Sequence, residues 1–152
     1  MEKQSIDRSG SLLGNDEKSV IETSAQAAAM IRAELPNGQK EERVFVLPLD
    51  GHGKVLAKPI LVSVGHADGT VAIDTGTIFR EALKVGAEEI IVAHNHPSGD
   101  PTPSKVDMAA TAKLQDAAKL LGVTFLDHLI LGLPGSEKGQ GFISIAEYRN
   151  VN

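Results

Sequence analysis

Between Ala93 and Asp107 the chain reads AHNHPSGDPTPSKVD, and this stretch holds two histidines and an aspartate at a spacing that suits metal chemistry. The apolar run Ile90, Ile91, Val92, Ala93 leads straight into His94, Asn95 and His96. Side chains alternate along a strand, so His94 and His96 project from one face and Asn95 from the other. Pro97, Gly99, Pro101 and Pro103 then interrupt regular structure, and helical composition resumes only after Ser104. Asp107 therefore falls in the first turn of a helix. Two imidazoles and one carboxylate at a strand end and a helix start form a three-ligand set for a divalent cation, zinc above all, with a fourth position left for water. The stretch also has a purely structural reading, because Ser104-x-x-Asp107 matches a capping box in which the serine oxygen accepts a free first-turn amide.

His94-x-His96, seven intervening residues that begin with Pro97, and Ser104-x-x-Asp107 are similar to the metal motif of the JAMM (MPN+) metalloprotease superfamily. The longer string HNHPSGDPTPSKVD resembles its bacterial RadC-type branch. That resemblance implies a zinc-dependent hydrolase of the metallopeptidase or isopeptidase type, in which a zinc-activated water cleaves an amide bond of a protein or peptide substrate. It implies His94, His96 and Asp107 as the zinc ligands, a glutamate ahead of the first core strand as general base, and the motif serine, Ser104, as donor to the oxyanion. Glu42 stands in register for the base, with Val44 and Asp50 at the matching positions after it. Glu41 is its rival by one residue, and alternation along a strand allows only one of them to face the site. The capping role of Ser104 competes with the donor role for the same oxygen. His128, preceded by Asp127, falls where RadC-type sequences carry an Asp-His pair. It reads either as a satisfied strand histidine or as a group that supports the ligands or touches substrate. Asn95, facing away from the histidines, is expected to hold the loop by hydrogen bonding. His52 and His66 lie in turn-like surroundings and are expected at the surface.

Two other functions compete. Two histidines and a carboxylate also ligate iron in non-haem oxygenases. Such a site has no need of the glutamate or the serine. The label carried by the RadC family suggests instead a DNA-repair-associated or protein-interaction module without hydrolytic activity. A net charge of -5 and an aromatic content of 3% count against direct nucleic-acid binding, which draws on basic surfaces and stacking platforms.

The elements needed to position these residues can be read in order. With 152 residues and 41% hydrophobic content, one domain with a sizeable core is expected. The chain lacks cysteine, so any metal must use imidazole and carboxylate, and a reducing, cytoplasmic setting is the expectation. It has no long apolar segment that would span a membrane. Residues 1–16 read as a mobile leader and 17–152 as a single domain. An amphipathic helix is predicted from about Glu17 to Leu35, ending at Pro36-Asn37-Gly38. RVFVLPLD and KVLAKPILVSVG form a hairpin around Gly51-His52-Gly53, with Pro48 and Pro59 marking edge positions or bulges. A helix follows from Asp74-Thr75 to Gly86, then a strand to His94, a helix from Ser104 to Leu121, and a strand through VTFLDHLILG. After a loop containing LPGSEKGQG, longer than is usual in RadC-type chains, FISI forms a last strand and runs into a polar tail.

This order predicts an α/β fold with a mixed sheet flanked by helices. The resemblance implies the JAMM/MPN domain, similar to the cytidine-deaminase architecture, and extends from about Glu42 to Ser144. The leader and first helix are expected to be too short to supply the helical region that many RadC proteins carry ahead of this domain, and Asp74-Thr75 stands where they usually carry Pro-Arg.

Overall fold

The structure, a computed structural model, describes residues 19–65, 73–133 and 141–151. The leader at 1–16, His66 and most of the LPGSEKGQG loop lie outside the described residues. Five strands form one mixed sheet: β1 (Glu42–Leu49), β2 (Ile60–Gly65), β3 (Glu89–Asn95), β4 (Thr124–Leu131) and β5 (Phe142–Ser144). Their order is β2-β1-β3-β4-β5, with β3 and β4 parallel and the other neighbours antiparallel. The helices are α1 (Ser24–Arg32), α2 (Thr75–Lys84), α3 (Lys105–Leu121) and α4 (Ile145–Val151).

β1 and β3 are apolar on both faces because helices cover both. Phe45, Leu47, Leu49, Ile91 and Ala93 pack with Ala27, Ala28 and Ile31 of α1 on one side. Val44, Val46, Ile90 and Val92 pack with Ile78 and Phe79 of α2 and Leu114 of α3 on the other. The connection from β3 to its parallel neighbour β4 runs through α3, as a parallel pair requires. Gly122 ends α3 in the left-handed conformation, at φ 71°, which frees the chain to turn back into β4.

Several expectations change. The first helix is shorter than the span from Glu17 to Leu35. Thr23 and Gln26 form a capping box that starts it at Ser24, while Val20 and Ile21 pair through their backbones with Lys54 and Gly53. Ala-rich composition there suits a helix, but tertiary pairing claims its first residues. Pro48 is not at an edge, since β1 lies between β2 and β3. Its carbonyl accepts from Leu56, so its ring nitrogen turns to the same side, beyond Ile60 where β2 begins to pair. No ladder amide is lost there. The polar tail after FISI is helical. α4 begins where the Asp127 carboxylate accepts from the Ala146 amide and Ser144 Oγ accepts from the Glu147 amide. A cap supplied by β4 is invisible to local pattern.

Candidate metal centre

The centre lies where β1, β3 and α3 meet. β1 and β3 pair antiparallel with Val44 opposite His94, so Glu42, two residues earlier on the same face, is carried to the end of β3 where His96 follows. The His96 amide donates to the Leu131 carbonyl at 2.8 Å, which continues the β3–β4 pairing past the end of β3. Pro97 to Pro103 then reverse the chain, and Ser104 caps α3. Its Oγ accepts from the Asp107 amide at 3.0 Å and its own amide donates to Asp107 Oδ2 at 2.9 Å. The full capping box is present, and it fixes the Asp107 carboxylate toward the histidines.

Three side chains converge. His94 Nε2 and His96 Nε2 are 3.2 Å apart, Asp107 Oδ1 is 3.1 Å from the first and Oδ2 is 3.1 Å from the second. Ligands about 2.0 Å from a tetrahedral ion stand about 3.3 Å from one another, so the donor set has the size of a zinc site. His96 Nδ1 lies 2.9 Å from the Asp100 carbonyl, which can only accept. In its neutral form His96 therefore carries its proton on Nδ1 and turns a lone pair on Nε2 toward His94 and Asp107. Lone pairs and a carboxylate crowded in this way fit a cation. Glu42, 8% exposed, joins them: one of its carboxylate oxygens and a ring nitrogen from each of His94 and His96 all lie within 4.8 Å of one another. Glu41 is exposed and pairs with Arg43 instead.

The electrostatics match the geometry. Burial opposes ionisation of Asp107, yet the imidazoles of His94 and His96 beside it and the hydrogen bond from the Ser104 amide hold its carboxyl well below the ordinary carboxylate range. Burial lowers the basicity of His96, but Asp107, the Asp100 carbonyl and the Glu42 charge outweigh it and raise the group above an ordinary imidazole. A place that attracts a proton between an imidazole and a carboxylate attracts a divalent cation for the same reason.

The remaining sequence candidates lie around this centre. Asn95 is buried on the opposite face, where its amide accepts from Arg43 N at 2.7 Å and donates to the Glu41 carbonyl at 3.0 Å and to Gln39 at 2.8 Å. His128, 1% exposed, places Nε2 2.9 Å from His94 Nδ1. Burial pushes His128 down to about 3, with the neighbouring His94 adding to the drop, so it is neutral at physiological pH. His52 is exposed in the turn after β1. Two residues near the centre carry no motif that would single them out. Thr111, one turn beyond Asp107, bonds to His128 at 2.7 Å. Gly132 lets the end of β4 pass against the loop after His96, where an added Cβ would stand 2.2 Å from the Gly99 carbonyl oxygen. Helical periodicity on α3 could have marked Thr111 as inward-facing; that it meets His128 depends on how α3 packs on β4.

A mixed sheet covered on both faces, with His-x-His at one strand end and the capping aspartate of the next helix beside it, defines a JAB/MPN domain of the JAMM-type hydrolase superfamily. Within that class the chain belongs to the family of RadC-like JAB domains, whose sequence profile matches residues 21–150. It is similar to a UPF0758 protein of Carboxydothermus hydrogenoformans, 46% identical over 96 residues, covering 62% of this chain and 41% of that protein. A UPF0758 protein of Acaryochloris marina is 46% identical over 116 residues, covering 76% of this chain and 46% of that one. One from a Roseiflexus species is 36% identical over 135 residues, covering 86% and 57%. The chain thus spans about half the length of the curated relatives it matches. Among the described residues no helix is long and apolar enough to cross a membrane.

Proposed function

We propose that this chain is a zinc-dependent hydrolase that cleaves an amide bond in a protein or peptide substrate, a metallopeptidase or isopeptidase. The observation that carries the reading is the convergence of His94 Nε2, His96 Nε2 and the Asp107 carboxylate at 3.1–3.2 Å, with the Glu42 carboxylate buried beside them. Zinc, when bound, supplies Lewis acidity that makes water nucleophilic near neutral pH and polarises a carbonyl. His94, His96 and Asp107 hold it, and with only one anion among the three the site keeps a net positive charge. Glu42 takes the proton of the attacking water and delivers it to the leaving amine. Ser104 serves two roles at once. Its cap uses an oxygen lone pair, so the hydroxyl proton is still available to an oxyanion.

Non-haem iron would use the same ligands, but oxygen chemistry gives Glu42 and Ser104 no task. A DNA-associated module without catalysis finds no support in a chain of net charge -5. The test is metal content together with hydrolysis of peptide and isopeptide substrates, for the native chain and for Glu42→Gln. Expected is about one zinc per chain in both, with turnover in the variant lower by roughly a hundredfold to ten-thousandfold. Loss of zinc in Glu42→Gln would make Glu42 a ligand instead of the base. Bound iron and no hydrolysis in the native chain would end the hydrolase reading.

A further inference from the structure

We propose that Thr111 and His128 are positioning residues that set the tautomer of His94, so that its Nε2 presents a lone pair to the cation. A run of short contacts fixes the polarity. Thr111 Oγ1 lies 3.0 Å from the main-chain carbonyl of Asp107, one helical turn earlier, and 2.7 Å from His128 Nδ1. A carbonyl can only accept, so the threonine hydroxyl spends its proton there. The hydroxyl oxygen is then an acceptor for His128, which must carry its proton on Nδ1. That leaves a lone pair on His128 Nε2, 2.9 Å from His94 Nδ1, and the second imidazole must in turn carry its proton on Nδ1. His94 Nε2 is left bare, facing His96 Nε2 and Asp107 Oδ1.

Burial makes this assignment hold. His94 and His128 are each 1% exposed and Thr111 is 3% exposed, so water offers the three groups little alternative. The opposite polarity would give up the bond from Thr111 to the Asp107 carbonyl. It would also place a proton on His94 Nε2, bonded to Asp107 Oδ1 at 3.1 Å, which closes the position where the ion must bind. The relay begins on the main chain of Asp107 and ends beside its carboxylate, so one residue of α3 anchors both a ligand and the orientation of another.

That the bare nitrogen serves as a metal ligand rests on the proposed zinc chemistry; the tautomer itself does not. Both are tested on the native chain, Thr111→Val, which keeps the shape and loses the hydroxyl, and Thr111→Ser, which restores it. Long-range proton–nitrogen NMR of the native chain, zinc-loaded and zinc-stripped, in mildly alkaline buffer, is expected to find His128 protonated on Nδ1 in both states. Competition with a chromophoric chelator is expected to show zinc affinity about ten- to a hundredfold weaker in Thr111→Val and native in Thr111→Ser. A proton on His128 Nε2 in either state, or native affinity in Thr111→Val, overturns the proposal. If the native chain takes up no zinc, the zinc reading falls and the NMR result alone judges the relay. If Thr111→Val does not fold, the native NMR again decides.

Discussion

Asn95 brackets Glu42 through the backbone: its side chain accepts from the amide of Arg43 and donates to the carbonyl of Glu41, the residues on either side. The two residues lie on opposite faces of the sheet, so the contact sets the direction of the Glu42 side chain without touching it. A residue that sits between His94 and His96 in sequence therefore aims the carboxylate that stands beside them. Replacing Asn95 with Ala strands a part-buried amide and a carbonyl at the start of β1. The expected cost is about 1–3 kcal/mol of stability. Turnover falls while zinc content is retained, because His94, His96 and Asp107 are untouched. Urea unfolding, metal analysis and kinetics on one preparation check this, and undiminished turnover would separate Asn95 from the placing of Glu42.

The capping role of Ser104 and its proposed donor role can be separated by substitution. Glycine is tolerated at a helix N-cap at a cost of a few tenths of a kcal/mol, whereas alanine costs about 1. Neither supplies a hydroxyl. Ser104→Gly is thus expected to keep near-native stability and to lose turnover by roughly a hundredfold or more, with Ser104→Ala losing both. Full activity in Ser104→Gly would leave the serine with capping alone.

Gly132 is a steric requirement of the loop between His96 and Ser104. A methyl group there would meet the Gly99 carbonyl oxygen at 2.2 Å and Pro101 Cδ at 2.8 Å. Leu133 N also donates to that carbonyl at 3.0 Å, so the segments cannot part without losing a hydrogen bond. Gly132→Ala is expected to cost at least about 1–3 kcal/mol, the usual range for overpacking. Zinc affinity weakens as well, since the loop that separates from β4 carries His96. Thermal unfolding and chelator competition measure the two effects, and a native zinc affinity would uncouple the loop from the site.

The pH dependence of stability carries the signature of Asp127. Burial pushes its carboxyl up, against hydrogen bonds from Ser144, the Ala146 amide and the His128 amide, and the Glu147 charge pushes the same way as burial. The folded chain therefore binds this proton more tightly than the unfolded chain. The resulting stabilisation is complete below the unfolded value of about 4 and is lost as the pH rises through the higher folded one. Asp127→Asn does not titrate. The stability of the native chain relative to this variant is expected to fall as the pH is raised from about 4 through the folded value, then level off. Urea unfolding at a series of pH values reads the difference directly, and a difference that is flat or rises with pH refutes it.

What the sequence determined was local. His94 and His96 share a face because a strand alternates, and Asp107 joins them because Ser104 caps a helix three residues earlier; both follow from chain neighbours within a single turn or pleat. The helix from Ser104 and the buried strands on either side of it were legible for the same reason. What only the tertiary structure decided joins residues far apart in the chain. The antiparallel register of β1 on β3 chooses Glu42 over Glu41, the parallel register of β3 on β4 sets His128 against His94, and Asp127 reaches from β4 to start α4. The first helix loses its expected opening turns to pairing with Gly53 and Lys54. Alternation and capping are written in consecutive residues, but a sheet register is chosen by which faces can be buried together, and that choice belongs to the whole core.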